Sequence, residues 1–270
     1  MALWRLDTEP QGCSIIARKL RAFLAMYVQK ESRALHTTEP LVAVVQQFLL
    51  NSRMPGGTQQ DAAECLTRLL ENINQGSLRR TVFGASAAQS VDDMILCESP
   101  SEAQGSHAAG AVSMANEIVA SLTDECALQG TPPALLVRFE NTYQHGDDIF
   151  PVTKAADWSI AEFPVGSSDS LAEPYTYYVS SFIAHVREPG VPAAQMMRSG
   201  HYVTYVHNDS HWFKMDDRSV TRLDAAPTAF PYVVFLVRKG VCDIQGGKSH
   251  RCDFLPILFG PPRHFDFQCF

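Results

Sequence analysis

At 270 residues the chain is long enough for one large domain or two closely joined subdomains, and a composition 46% hydrophobic and 19% charged excludes a mainly disordered polymer. Its net charge of −7 is concentrated between positions 61 and 170, with 5 basic against 16 acidic side chains. That balance disfavours nucleic acid, whose phosphates demand clustered Lys and Arg; it suits a basic protein surface as partner, and equally a plain solvated acidic surface. No apolar run approaches the roughly 18 residues of a membrane span, so no membrane association is expected. The first seven residues carry no long apolar core, and the seven cysteines fall without close pairs. A secreted disulfide framework is therefore set aside, and a cytoplasmic or nuclear address is expected.

The first 76 residues read as helical. Over 14–28, Ile16, Leu20, Phe23, Leu24 and Tyr27 recur at helical spacing, with Ser14 able to cap the start. Pro40 opens a second helix carrying Leu41, Val44, Val45, Phe48 and Leu49 on one face. Met54-Pro55-Gly56-Gly57 breaks the chain, and Thr58 is the expected N-cap of a third helix, with Asp61 three residues on. Ala62, Leu66, Leu69, Leu70 and Ile73 form its expected buried stripe, ended by Asn74-Gln75-Gly76. Residues 77–133 are less regular: a short strand over 81–84, a polar loop over 99–110 and a helix over 114–122. From 134 onward strands dominate, over 134–139, 175–186, 201–207, 211–215 and 232–238. They are joined by turns rather than by regular helical crossovers, which makes the class α+β. The tail over 240–270 mixes Phe, Cys, Gly and Pro without clean periodicity, and its role is left unassigned.

The most informative stretch is the pair of strands beginning at His201. His-Tyr-Val-Thr-Tyr-Val-His is rich in β-branched and aromatic residues, Asn208-Asp209-Ser210 is a turn cluster, and Trp212-Phe213-Lys214-Met215 returns. A turn centred on Asn208-Asp209 brings His201 opposite Asp216 at the open end. A carboxylate that orients an imidazole makes two-thirds of a catalytic triad. Gly200 permits close backbone approach or a positive φ. The same residues also fit an ordinary hairpin bearing a surface histidine and an acidic turn.

Ser199-Gly200-His201-Tyr202-Val203-Thr204-Tyr205-Val206, followed by Trp212 through Asp217, resembles the histidine box of the ubiquitin-specific proteases. Thr58-Gln59-Gln60-Asp61-Ala62-Ala63-Glu64-Cys65 resembles that family's Gln-Gln-Asp-Ala-x-Glu-Phe helix, with Cys65 in place of the phenylalanine. Leu135-Leu136-Val137-Arg138-Phe139 and the closing strand at 232–238 are similar to two further blocks, in the family's order. The resemblance implies a papain-like cysteine protease fold of α+β class with a helical thumb (1–76), a reduced fingers region (77–133) and a β-rich palm (134–239). It implies hydrolysis of the isopeptide bond after ubiquitin or a similar modifier. His201 would be the base, Asp216 its orienting carboxylate and Asp217 a neighbouring support or substitute. It further implies that Gln60, Asp61 and Glu64 meet the basic tail of ubiquitin. Asp61 and Glu64 also suit plain charge stabilisation at a helix N-terminus.

The nucleophile has to be argued from chemistry. A thiolate is favoured at a helix N-terminus, and Cys13 follows Gly12 just before the first amphipathic helix. Cys65 lies inside a helix beside a packing leucine, Cys97 and Cys126 fall in the less regular middle, and Cys242, Cys252 and Cys269 lie in the tail. The segment departs from the family pattern, however. Pro10-Gln11-Gly12-Cys13-Ser14 matches Gly-Asn-Thr-Cys-Tyr only at the cysteine, and Thr8 stands where the family has its oxyanion-binding residue. Two other outcomes thus stay open: a ubiquitin-binding pseudoprotease without catalysis, and a papain-like acyltransferase. No metal or other cofactor is expected. The chain has no Cys-x-x-Cys, and a turn separates His207 from His211. His185, near the end of an apolar strand, suits packing better than ligation.

Overall fold

The computed structural model describes residues 46–48, 50, 52, 60–73, 95–97, 111–125, 134–140, 142–145, 148–152, 154–165, 175–186, 200–208, 210–217 and 219–239. The expected helix over 14–28, the strand over 81–84, the tail over 240–270 and Cys13 itself lie outside them. Positions 46–48, 50 and 52 are helical, within the second helix expected from Pro40.

Helix α1 spans Ala62–Ile73 and helix α2 Met114–Glu125. The strands are β1 (Ile95–Cys97), β2 (Val112–Ser113), β3 (Ala134–Phe139), β4 (Thr142–His145), β5 (Asp148–Pro151) and β6 (Ala156–Asp157). They continue as β7 (Glu162–Val165), β8 (Tyr175–Val186), β9 (His201–Asn208), β10 (His211–Asp216), β11 (Ser219–Leu223) and β12 (Val233–Arg238). The main sheet runs β1-β3-β12-β8-β9-β10-β11, with β7 paired to the start of β8. Turns do connect β9, β10 and β11. The chain between the parallel neighbours β1 and β3, however, includes α2. A helical crossover is how a chain returns to pair in parallel; this one lies before residue 134, ahead of the strands expected to be joined by turns, and its helix covers the one expected over 114–122.

Alternation along the strands divides the core between two faces of this sheet. Leu135, Val137, Phe139, Val203, Tyr205, Val234 and Leu236 join Met114, Ala115 and Ile118 of α2 and Trp158 on one face. Leu136, Ile183, Val233 and Phe235 pack against Ala63 of α1 on the other. Strand β8 keeps its apolar residues on the α2 face by changing phase. Val179 pairs with Leu236 but Ser181 with Phe235, so one extra residue is accommodated between them. Tyr177 and Val179 before this bulge, and Phe182 and Ala184 after it, therefore share one core. Phe182 stacks on Trp158 (4.6 Å) and Tyr205 (4.8 Å) and meets Trp212 edge-on at 5.7 Å. Truncating such a buried ring to Ala costs about 3–5 kcal/mol.

Two details of α1 differ from the sequence expectation. The helix starts at Ala62 with Asp61 as its cap, because the Asp61 carboxylate accepts the Glu64 N–H at 2.8 Å. Among its described side chains Ala63 and Thr67 are buried, while Ala62 and Leu66 are only partly buried against the same cluster; the side chains of Leu70 and Ile73 lie outside the described residues. Among the described residues no helix is long and apolar enough to cross a membrane.

Candidate active site

The turn that closes the hairpin β9–β10 lies one residue further along than the sequence suggested. Asn208 pairs with His211, and the ladder runs on to Thr204–Met215. The shift is by two in pairing, so every side chain keeps its expected face. His201 and Asp216 consequently meet as diagonal neighbours on one face rather than as a direct pair. His201 Nε2 lies 2.6 Å from Asp216 Oδ1. With Nε2–H donating to the carboxylate, Nδ1 is the ring atom left to act as base.

Both oxygens of Asp216 are used. Oδ2 accepts from Lys214 Nζ at 2.7 Å, and that bond, with a smaller contribution from His201, holds the carboxyl below its ordinary range. The same pairing raises Lys214. Asp217 stands in the turn after β10 with φ +48°, its carboxylate 3.8 Å from His201 Nε2 and so beyond hydrogen-bond distance. Asp216 is therefore the partner of the imidazole and Asp217 its neighbour.

Gly200 fixes where His201 emerges. Its φ is +142°, and a Cβ there would run into the His185 ring and come within 2.8 Å of the Val186 carbonyl oxygen. Both are needs that only glycine meets. Two further histidines pack against aromatic rings: His185 tilts over Tyr202 at 4.8 Å, and His207 stacks on Trp212 at 4.7 Å. His201, Asp216 and Asp217 each offer a donor atom within 4.8 Å of the others, a set that could in principle hold a cation. The 2.6 Å separation of Nε2 and Oδ1 is a direct hydrogen bond, however, with no room for an ion between them. An open groove of about 730 Å³ lies at the turn end of the same hairpin, lined by residues including Trp158, Ile160, His211 and Arg222; no dyad atom lines it.

On the opposite sheet face, Asp61 links α1 to β9 and to the residue just before β12. Its Oδ2 accepts the Tyr232 hydroxyl at 2.6 Å and, at a weaker 3.4 Å, that of Tyr202. Burial, with Asp61 adding to it, pushes both phenols well above their ordinary value. Arg138 covers the Tyr232 ring at 5.5 Å. Glu64 is 49% exposed and pairs with Arg68 at 2.6 Å, one turn along. Gln60 immediately precedes the cap. Cys65 is the wrong thiol for nucleophilic chemistry: burial first, then Asp61 and Glu64, push it up to about 11.

The tyrosine clamp on Asp61 and the Lys214 contact were not foreseen from sequence. Lys214 and Asp216 lie two apart on one strand and so share a face, a signal that alternation alone could have supplied.

The chain belongs to the ubiquitin carboxyl-terminal hydrolase family, whose description matches residues 4–236. No curated protein sequence matches it. Among solved structures, the Ubp8-Sgf11-Sgf73-Sus1 SAGA DUB module is similar with TM-score 0.55 and 11% identity, over 88% of this chain and 61% of the matched one. A yeast SAGA DUB module with an Sgf73 mutant gives TM-score 0.41 and 11% identity over 73% and 47%. Another Ubp8/Sgf11/Sus1/Sgf73 module gives 0.32 and 13% over 40% and 24%. The chain thus spans less than two thirds of the length of these solved relatives. The fold is the papain-like one of this family, with a β-rich palm.

Proposed function

We propose that the protein is a thiol-dependent deubiquitinase that hydrolyses the isopeptide bond after the C-terminus of ubiquitin or a ubiquitin-like modifier. The observation that carries this reading is the 2.6 Å bond from His201 Nε2 to Asp216, set at a strand end in a chain of the ubiquitin hydrolase family. Asp216 holds the imidazole in the tautomer that leaves Nδ1 basic. Cys13, at the expected start of a helix, is the proposed nucleophile. Nδ1 takes its proton, the thiolate attacks the isopeptide carbonyl, and the imidazolium returns the proton to the departing lysine amine. Water then cleaves the thioester by the same route, and Asp217 supports the pair. The reading divides the chain into a thumb (1–76), reduced fingers (77–133) and a palm (134–239), acting in the cytoplasm or nucleus.

Gln60, Asp61 and Glu64 are the proposed contacts to the basic tail of the modifier. The 49% exposure of the Glu64 side chain supports this role, whereas Asp61 already serves Glu64 N–H and two phenols.

The departure of residues 10–14 from the family's cysteine box favours a second reading, a pseudoprotease that binds ubiquitin without cutting. A ubiquitin probe with a C-terminal electrophile separates the two. Covalent labelling mapped to Cys13 supports the enzyme. Saturable binding of ubiquitin without labelling supports the pseudoprotease, and absence of both would overturn the ubiquitin reading altogether.

A further inference from the structure

The Lys214–Asp216 pair is unexplained by stability. The two side chains are 36% and 33% exposed, and an ion pair so open to solvent contributes on the order of 0–1 kcal/mol. Its geometry is more telling. A carboxylate bonded through one oxygen alone turns about χ2 and can offer either oxygen to the ring. In Asp216 one oxygen is held by Lys214 Nζ at 2.7 Å while the other sits 2.6 Å from His201 Nε2. Lys214 is itself held in a regular ladder, paired with Tyr205 on β9 and Thr221 on β11. The turn residue Asp217, 3.8 Å from the imidazole, is the competing carboxylate that a loosened ring could reach.

We infer that Lys214 is a positioning residue that acts through Asp216: it fixes the carboxylate so that Oδ1 faces His201 Nε2, and thereby aims Nδ1 at the position of the attacking thiol. Among the described residues the ion pair of the lysine is with Asp216 Oδ2, not with the imidazole. Its charge also keeps Asp216 ionised, the form that accepts from Nε2–H. The assignment rests on the catalytic reading of the dyad, since an aimed imidazole matters only where a proton is moved.

The experiment pairs kinetics with a spectroscopic signature in the full-length chain. Lys214→Met should lower kcat on a ubiquitin–fluorophore amide by about 10- to 100-fold, the cost of a misplaced catalytic group, with KM nearly unchanged. Lys214→Arg should restore most of the rate, because a guanidinium also reaches and holds the carboxylate. In an Asp216→Asn background Lys214→Met should cost nothing further, as expected for a residue acting through Asp216. The low-field Nε2–H proton resonance of His201 should persist in Lys214→Arg and broaden or vanish in Lys214→Met. An unchanged resonance in Lys214→Met, or a rate loss that adds in full to that of Asp216→Asn, would overturn the assignment. Should the wild-type chain turn over no substrate, the deubiquitinase reading fails on its own, and the resonance still decides whether Lys214 orients the pair.

Discussion

Asp216 and Asp61 are both aspartates at the end of a secondary-structure element, and each has both carboxylate oxygens occupied, yet their partners give them different roles. Asp216 sits between an imidazole and an ammonium, two groups whose charge or proton can move. Asp61 sits between a backbone N–H and neutral phenols, which fix the start of α1 against β9 and the residue just before β12 but have no proton to exchange near neutral pH. The first arrangement stores little stability in an open site and, on the proposed function, aims a base. The second joins a helix to a sheet through a half-buried hydrogen-bond cluster, where an unpaired group would be costly. Partner chemistry, rather than residue type, separates the proposed catalytic acid from the architectural one.

The largest expected effect breaks the catalytic side alone. His201→Ala should reduce hydrolysis by about 10²- to 10⁴-fold, the usual contribution of a positioned general base. The melting temperature should hardly move, since His201 lies at a strand end and belongs to neither core cluster. Cleavage of a ubiquitin–fluorophore amide at the wild-type rate by the purified variant would remove His201 from the mechanism.

The architectural side should respond the other way. Asp61→Ala removes a helix cap and strands the Tyr232 hydroxyl, so a loss of about 2 kcal/mol or more is expected in chemical denaturation. Asp61→Asn keeps an acceptor for Glu64 N–H and should cost less than about 1 kcal/mol. The pair also sorts the proposed ubiquitin contacts. Glu64→Gln should weaken ubiquitin binding and flatten its salt dependence more than Asp61→Asn does, because Asp61 is already committed inside the protein. Equal effects of the two on affinity across a salt series would show that the clamp leaves Asp61 available to a partner.

How much of this was readable in advance follows the range of the interactions. His201, Asp216 and the strands β3, β8 and β12 were visible because alternation and turn residues are local, and the hairpin brings its two ends together whatever the turn. The turn itself was misplaced: Asn208, Asp209 and Ser210 are all good turn formers, and sequence gives no ranking among two-residue turns that preserve facing. The start of α1 shifted from Thr58 to Asp61 because either residue can cap, and Tyr232, 171 positions away, helps hold Asp61. The phase change in β8 and the α2 crossover depend on which strand lies alongside, which periodicity does not encode. Cys13, argued from helix chemistry, lies outside the described residues.

The smallest and most discriminating test is the pH dependence of stability, where the two carboxylate sites should fail at opposite ends. Asp216 has a lowered folded-state value, so the fold favours its ionised form. Its contribution is complete above the unfolded value of about 4 and is lost as pH falls through the lower folded value. Tyr232 has a raised folded-state value, so the fold favours the neutral phenol that donates to Asp61. That contribution is complete below the unfolded value of about 10 and is lost as pH rises beyond it. Denaturation midpoints for wild type, Asp216→Asn and Tyr232→Phe, measured from acid to alkaline pH, should therefore converge in opposite directions. The gap to Asp216→Asn should close in acid below about pH 4, and the gap to Tyr232→Phe should close in alkali above about pH 10. Exposure of Asp216 to solvent makes the acid effect the smaller one, and high salt should shrink it further. If both gaps instead stayed constant with pH, neither carboxylate would be coupled to its partner's charge. The contrast between an aiming acid and a joining acid would then reduce to hydrogen-bond geometry alone.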